Sequence, residues 1–256
     1  MFTSLLNNRY LVWQLVSRDL KSRYLGSLIG VFWSILNPLL QLAIYTVVFS
    51  TVAAIRFPGS FAEYLFCALL PWMAVQEGVT RSSRTFIENS ILIKKVRFPL
   101  EILPFSLAAS AFIHQFLATI VFVAILSVNQ SLKPQLLGWV FVLFFFQTLL
   151  IYGLSLLVAC LNVFFRDIAQ VLGVLFMLGF WLTPIVYPRS TAPAKFAWLL
   201  GLNPLTHMIE AYHFVFFGNP RPSMPGLLFW LGTCCGAYFV GRFMLARTRE
   251  ELVDLV

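Results

Sequence analysis

The chain has 256 residues, of which 60% are hydrophobic and only 11% are charged. Because a soluble domain carries about a quarter charged residues, this composition excludes an ordinary water-soluble globular protein. The net charge of +8 is divided among short basic clusters between apolar runs. Such clusters are typical of membrane-protein orientation signals, so we predict no nucleic-acid partner. We predict an all-α integral membrane protein that forms a single transmembrane domain over residues 1–256.

Six apolar segments predict six transmembrane helices, since each is long enough for a helix of about 20 apolar residues. The first lies between Arg23 and Arg56, and Pro38 near its middle should kink it because proline removes a backbone donor. The other five segments follow at 61–79, between Glu101 and Lys133, at 134–165, at 168–188 and at 222–241.

The segment 196–218 is long enough for a seventh span, but several polar residues interrupt it: Asn203, Pro204, His207, Glu210 and His213. A charged group at the bilayer centre costs about 3 kcal/mol. With six spans, 13 of the 18 Lys and Arg residues lie on the side of the two termini, which predicts that both termini are cytoplasmic. We therefore predict an outer re-entrant helix pair at 190–218, broken at Asn203, with its histidines and glutamate beside water.

Two further segments are amphipathic and are not predicted to span the membrane. Residues 4–24 place apolar side chains at near-helical spacing with basic ones between them, which predicts an N-terminal helix lying in the membrane interface. Residues 86–99 mix isoleucines and Phe98 with Glu88 and three basic residues. A loop in water needs no such apolar content, so we expect this second helix to pack against another surface.

Small residues within the spans are interpreted as packing residues. The four cysteines, at positions 67, 160, 234 and 235, follow no disulfide or metal-binding pattern. Two pairs of glycines, at 26 and 30 and at 232 and 236, have the Gly-x-x-x-Gly spacing that permits close helix contact.

The sequence lacks the motifs of an enzyme. There is no glycine-rich phosphate-binding loop, hence no ATP site in this chain, and no cluster of residues with metal-binding spacing. A membrane-embedded lipid or glycosyl transferase needs acidic residues near one interface, and the candidates Glu77 and Glu101 form no pair. We predict a non-enzymatic chain that binds no metal or cofactor itself.

Five blocks of the sequence resemble the membrane subunits of type-2 ABC exporters, above all those that export lipid-linked O-antigen, capsular or teichoic polysaccharide in bacteria. The resemblance implies a half-transporter in the bacterial inner membrane. Two copies of the chain would form the channel, and two separate ATPase subunits, which hold ATP and Mg²⁺, would bind them. The blocks lie at 11–38, 88–104, 162–168, 181–188 and 203–212.

The resemblance also implies which residues contact the ATPase. The amphipathic helix at 86–99 is similar to the coupling helix of the family, whose apolar face docks in a cleft of the ATPase. A short turn that ends the fourth span is similar to a second, smaller contact. The residues concerned are Glu88, Ile91, Leu92, Lys94, Lys95, Arg97 and Phe98 in the helix, and Arg166 and Asp167 in the turn.

Two further groups of residues follow from a lipid-linked polysaccharide as the exported molecule. Basic residues near the inner leaflet would attract a lipid-pyrophosphate head group, and these are Arg18, Lys21 and Arg23. Aromatic residues within the spans would line the channel and stack on sugar rings, and these are Trp33, Tyr45, Trp72, Trp181 and Tyr187. The alternatives are a type-2 permease for capsule, teichoic acid or a small amphiphile such as a drug, and the membrane-embedded transferase.

Overall fold

In a computed structural model of the chain, the described residues are 8–24, 36, 39–41, 43–45, 47–48, 60–95, 98–193, 195, 197–218 and 221–255. Regular structure within these ranges consists of helices, without a β-strand, as the composition predicts. The predicted kink at Pro38 lies outside the described residues, as do the glycines at 26 and 30.

The α-helices are numbered in chain order, and two short 3₁₀ turns, Pro134–Leu136 and Arg189–Thr191, lie between them. The α-helices are α1 (Arg9–Tyr24), α2 (Phe61–Ser83), α3 (Thr85–Glu88), α4 (Ser90–Lys95), α5 (Ile102–Val128), α6 (Trp139–Phe164), α7 (Ile168–Trp181), α8 (Ala197–Leu202), α9 (Pro204–Phe217) and α10 (Met224–Leu255).

Three helices are long and apolar enough to cross a membrane: α5, α6 and the Met224–Leu252 part of α10. Helix α2 has 23 residues, but it carries Glu63, Glu77 and Arg81 and is largely covered by other helices. These features support a multi-pass membrane protein, while the count of six spans stays a prediction.

The fifth predicted span, at 168–188, is wrong in length. Helix α7 ends at Trp181 after 14 residues, so it rises about 21 Å against a hydrocarbon core of about 30 Å. Beyond it the chain turns, and Thr183, Pro184, Ile185 and Val186 are buried without helical structure. Apolar composition continues through this turn because the turn is buried in the protein, which is why the sequence shows no break there.

Helix α2 is the centre of the bundle and packs against α5, α6, α7 and α9. Its buried side chains include Leu65, Leu69, Trp72 and Val79. Helix α1 packs along α5, burying Leu15 and Val16 and leaving Tyr10 and Trp13 exposed. That α1 lies in a membrane interface stays a prediction.

Helix α6 and helix α10 are in close contact through two glycines. A Cβ atom added to Gly153 would lie 2.4 Å from the backbone nitrogen of Tyr238, and one added to Gly241 would lie 2.2 Å from the Gly153 carbonyl oxygen. The predicted contact glycines, Gly232 and Gly236, have nothing within 4 Å of such an atom. The Gly-x-x-x-Gly spacing is therefore not where α10 meets α6, because four-residue spacing alone does not determine which side of a helix makes a contact.

A buried hydrogen-bond network joins four helices at the middle of the bundle. The Gln147 amide on α6 donates to the Gln115 side chain on α5, 2.8 Å away, and to the Pro71 carbonyl on α2, 3.1 Å away. The Tyr212 hydroxyl on α9 donates to Gln147 Oε1 at 2.5 Å, and Gln115 Nε2 donates to that hydroxyl at 3.2 Å. These bonds satisfy polar groups that would otherwise be buried without partners.

The segment 190–218 contains two helices, α8 and α9, separated at Asn203 as predicted. The Asn203 side chain accepts a hydrogen bond from the Leu205 backbone at 3.0 Å, which caps α9. Whether the pair re-enters the membrane from the outer side stays a prediction.

The expectation that His207, Glu210 and His213 lie beside water is wrong, because all three are buried. Arg189 Nη1 donates to Glu210 Oε1 at 2.9 Å, which ties the turn after α7 to α9. His213 Nε2 lies 3.0 Å from the Tyr64 carbonyl oxygen, and its ring stacks on that of Tyr64. Within the described ranges no group of side chains has the arrangement of a metal site.

Candidate functional site

A cavity of about 550 Å³ lies between α2, α7 and residues 41 and 45 of the first predicted span. We call it the aromatic cavity. Trp72 on α2 meets Phe176 and Phe180 on α7 edge to face, with ring centroids 5.9 and 6.0 Å apart, and Tyr45 stacks on Phe180 at 5.6 Å. Trp181 contacts Phe180 edge to face at 5.4 Å. The cavity thus has an aromatic wall built from three separate segments.

The structure brings three of the five predicted channel aromatics together, since Tyr45, Trp72 and Trp181 all line this cavity. Tyr187 is adjacent to the group, because its hydroxyl donates to the Trp181 carbonyl at 2.9 Å, but it does not line the cavity. Trp33 lies outside the described residues. Phe176 and Phe180 were not among the five predicted residues, although their four-residue spacing places them on one side of α7.

A second cavity, of about 560 Å³, lies between α1, α2, α3 and α5, and we call it the basic cavity. Arg81 Nη1 donates to Asp19 Oδ2 at 3.1 Å and lies 3.7 Å from Glu77 Oε1. Arg18 Nη2 donates to Asn89 Oδ1 at 3.1 Å. The charged residues of its wall are Arg18, Asp19, Arg81, Arg84 and Glu88.

The two cavities are neighbours, because Thr80 and Arg81 of α2 line both of them. Of the predicted head-group residues, Arg18 lines the basic cavity, Lys21 is exposed outside its wall, and the Arg23 side chain is outside the described part. Arg81 and Arg84 were missed by sequence reasoning. The sequence could have indicated them, because two arginines three residues apart at the end of an apolar helix lie on the same side of that helix.

The two carboxylates considered for a transferase do not meet. Glu77 is on α2 beside Arg81 and 3.9 Å from His114 Nδ1, and it lines the aromatic cavity. Glu101 lines a different, third cavity, with Arg242 and Arg249 of α10. Glu77 and Glu101 therefore do not form the acidic pair that such an enzyme uses to hold a metal ion.

The predicted coupling helix at 86–99 is two short helices, α3 and α4, and not one. The break is at Asn89, whose side chain donates back to the Thr85 carbonyl at 2.8 Å. An amide side chain that competes in this way for backbone groups favours a turn over a continuous helix.

The outer side of this segment is apolar and basic. Ile91 is 69% exposed, and Glu88, Lys94 and Lys95 are exposed with it, while Leu92 is half-buried. Phe98 is buried in the core, so it contacts the rest of the chain and not an outside surface, contrary to the expectation. Arg97 lies outside the described residues.

The turn with Arg166 and Asp167 lies at the same end of the bundle as α3 and α4. Helices α2 and α6 run in the same direction, because Gln147 meets Pro71 and, further along both helices, Ser155 Oγ lies 3.4 Å from the Gly78 carbonyl oxygen. The segment after α2 and the turn after α6 are thus on one side. Arg166 and Asp167 are exposed there.

Comparison with known proteins agrees with this architecture. Residues 10–217 match the family described as ABC-2 type transporter. The chain is 35% identical over 209 residues to the O-antigen export system permease protein RfbA of Klebsiella pneumoniae, covering 80% of this chain and 79% of that protein. It is 29% identical over 254 residues to the protein of the same name from Myxococcus xanthus, covering 97% and 96% of the two chains. The chain belongs to the ABC-2 type transporter family.

Proposed function

We propose that this chain is the channel-forming membrane subunit of an ABC exporter that moves lipid-linked O-antigen across the bacterial inner membrane. The relatives that are named O-antigen export permeases support this substrate over capsule, teichoic acid or a small amphiphile. The observation that carries the proposal is the adjacency of a basic cavity and an aromatic cavity, which share Thr80 and Arg81.

The basic cavity suits the diphosphate of a lipid carrier. Three arginines, Arg18, Arg81 and Arg84, and two acids line its wall, so the lining has one positive charge in excess. Glu77 lies outside this wall, beside Arg81. Arginine binds phosphate oxygens through pairs of parallel hydrogen bonds. Asp19 forms an ion pair with Arg81 in this structure. An entering diphosphate would compete with that carboxylate for the Arg81 guanidinium.

The aromatic cavity suits the glycan that follows the head group. Flat aromatic faces provide apolar contact without a fixed hydrogen-bond pattern, so successive sugars of different type can pass the same wall. Trp72 contacts Phe176 and Phe180, whereas the Trp181 side chain is 53% exposed.

A second copy of the chain would cover the exposed face of α7 and complete a channel. On α7, the helix that borders the aromatic cavity, Val174, Leu175 and Leu178 are all more than half exposed. An exposed apolar surface of this kind marks a contact with lipid or protein. We propose a homodimer with this helix near the pathway.

Energy would come from a separate ATPase subunit. The exposed side of α3 and α4, with Ile91 and its two lysines, would dock on that subunit, and Arg166 and Asp167 would make a smaller contact. ATP and Mg²⁺ would be held by the ATPase, not by this chain. In this arrangement both termini face the cytoplasm.

Export can be tested in a strain whose own permease gene is deleted and replaced by variants of this chain. Arg84 is exposed and has no partner among the described residues, so Arg18→Gln with Arg84→Gln removes charge without breaking the Arg81–Asp19 pair. We expect surface O-antigen, measured by immunoblot, to fall about fivefold or more, since each arginine near a phosphate contributes about 1 kcal/mol.

Arg247→Gln serves as a control, because Arg247 is exposed on α10 away from both cavities. It should export normally, and all variants should reach the membrane in equal amounts. Normal export by the double variant would contradict the role of the basic cavity, whereas failure of the unaltered chain to restore O-antigen would contradict the substrate itself.

A further inference from the structure

The third cavity has a volume of about 310 Å³ and lies between α10 and the chain that leads from α4 into α5. The side chains proposed for ATPase contact and for glycan passage do not line it. Its wall consists of Pro99, Leu100 and Glu101 on one side and of Arg242, Leu245, Ala246 and Arg249 on the other. On α10, Arg242 is followed after three and four positions by Leu245 and Ala246, and Arg249 follows three positions later, so the four residues form one stripe along the helix.

The charge of this stripe is only partly compensated. Arg242 Nη1 donates to the Tyr238 hydroxyl at 3.2 Å, and Glu101 is the one acid in the wall. Arg249 is exposed and has no hydrogen bond or ion pair within the described ranges. Ala246 lies between the two arginines, and its small side chain leaves the space that forms the cavity. The wall therefore has one positive charge in excess, which favours an anion.

The surroundings of the stripe are apolar and exposed. Phe239, Val240 and Phe243 are 67%, 53% and 65% exposed, and the two phenylalanines lie about 60° and 100° around the helix from Arg242. Beyond Phe243 the helix becomes charged, with Arg247, Arg249 and Glu250 all exposed. This change is typical of the point where a helix leaves the hydrocarbon core.

We propose that this cavity binds the head group of an anionic phospholipid of the surrounding membrane. The phosphate would lie between Arg242 and Arg249 above Ala246, and the acyl chains would lie along Phe239 and Phe243. Basic pockets between helices at a membrane surface are suited to such head groups. Because Pro99 and Glu101 join α4 to α5, the bound lipid would brace the end of the coupling segment against α10. The proposal does not depend on which glycan is exported.

The test uses the full-length chain purified in mild detergent, with lipid binding measured by native mass spectrometry. The probes are cardiolipin and phosphatidylglycerol as anionic lipids, phosphatidylethanolamine as a zwitterionic lipid, and inorganic phosphate. We expect both anionic lipids to bind more tightly than phosphatidylethanolamine. Arg249→Gln should weaken anionic-lipid binding about fivefold, and Ala246→Phe, which fills the cavity without a change of charge, should weaken it at least as much.

Arg247→Gln is the matched control, because it removes the same charge two residues away, outside the cavity wall. It should change lipid binding less than twofold. Equal weakening by Arg247→Gln would indicate general attraction to the basic helix end and would overturn the proposal. Displacement of the lipid by inorganic phosphate at equal concentration would identify a free-anion site and would also overturn it. If Arg249→Gln instead left lipid binding intact but prevented co-purification with the ATPase, the cavity would belong to the protein interface and not to a lipid.

Discussion

Polar residues inside the apolar bundle connect its helices, and Gln147 bonds to three of them. Its amide bonds to the Gln115 side chain and the Pro71 carbonyl, and its oxygen accepts from Tyr212. The Pro71 carbonyl belongs to the helix that lines both substrate-sized cavities. Gln147 therefore holds the wall of the proposed pathway against α5, α6 and α9.

Gln147→Leu should lower the free energy of unfolding by about 2 kcal/mol, because hydrogen bonds between membrane helices contribute about 0.6 kcal/mol each and four are lost. The measurement is thermal unfolding in detergent. Gln170→Leu makes the same chemical change at an exposed position of α7 and should stay within about 0.5 kcal/mol of the unaltered chain. Equal unfolding midpoints for the two variants would show that the network contributes nothing to stability.

The residues of this network were not predicted from the sequence, and the reason is physical. A glutamine within an apolar helix indicates that some partner exists, but one sequence does not tell which helix supplies it. His207 and Glu210 show the same limit, since Arg189, the partner of Glu210, lies 21 positions away in the chain. The sequence identified these polar residues, but it predicted neither their burial nor their partners.

At the level of elements, helix packing depends on where small residues meet. Gly153 and Gly241 allow α6 and α10 to touch backbone to backbone. Gly232 has a free surface on the same helix, although it lies in the pattern that suggested contact.

Opposite effects are expected from two identical substitutions. Gly153→Ala should destabilise the chain by about 1–3 kcal/mol, because the added methyl group meets the α10 backbone, which cannot rotate away. Gly232→Ala should be neutral or stabilise it by up to about 1 kcal/mol, since alanine favours the helix and nothing is in the way. The measurement is the thermal unfolding midpoint of each variant, compared with that of the unaltered chain in the same detergent. Similar shifts of one sign would contradict the close contact of α6 and α10.

Elements defined by apolar composition were predicted well, and their interruptions were not. The cores of α5, α6 and α10 coincide with predicted spans because uninterrupted apolar runs need membrane-length helices. The end of α7 at Trp181 and the break at Asn89 depend on burial of a turn and on one side-chain hydrogen bond. Neither changes the apolar pattern of the sequence.

At the scale of the whole molecule, one chain encloses only part of a pathway. The aromatic cavity is walled by α2, α7 and part of the first predicted span, and most of α7 is exposed, with only Leu172 buried. Three of the aromatic residues that we predicted from the sequence line this cavity. How a second copy would enclose it was not predictable, because that depends on a contact surface between two chains.

The proposed homodimer predicts that α7 of one chain lies near α7 of its partner. Leu178→Cys places a thiol on this helix at a position that is 52% exposed, and mild oxidation of membranes should then give a disulfide-linked dimer on a non-reducing gel. Leu228→Cys, at a position of α10 that is 65% exposed, controls for random collisions in the bilayer and should stay monomeric. The natural cysteines are free, three are buried and Cys235 is half-buried, so the unaltered chain gives the background. Cross-linking through Leu228→Cys but not through Leu178→Cys would place the dimer contact on α10 and leave the aromatic cavity open to lipid.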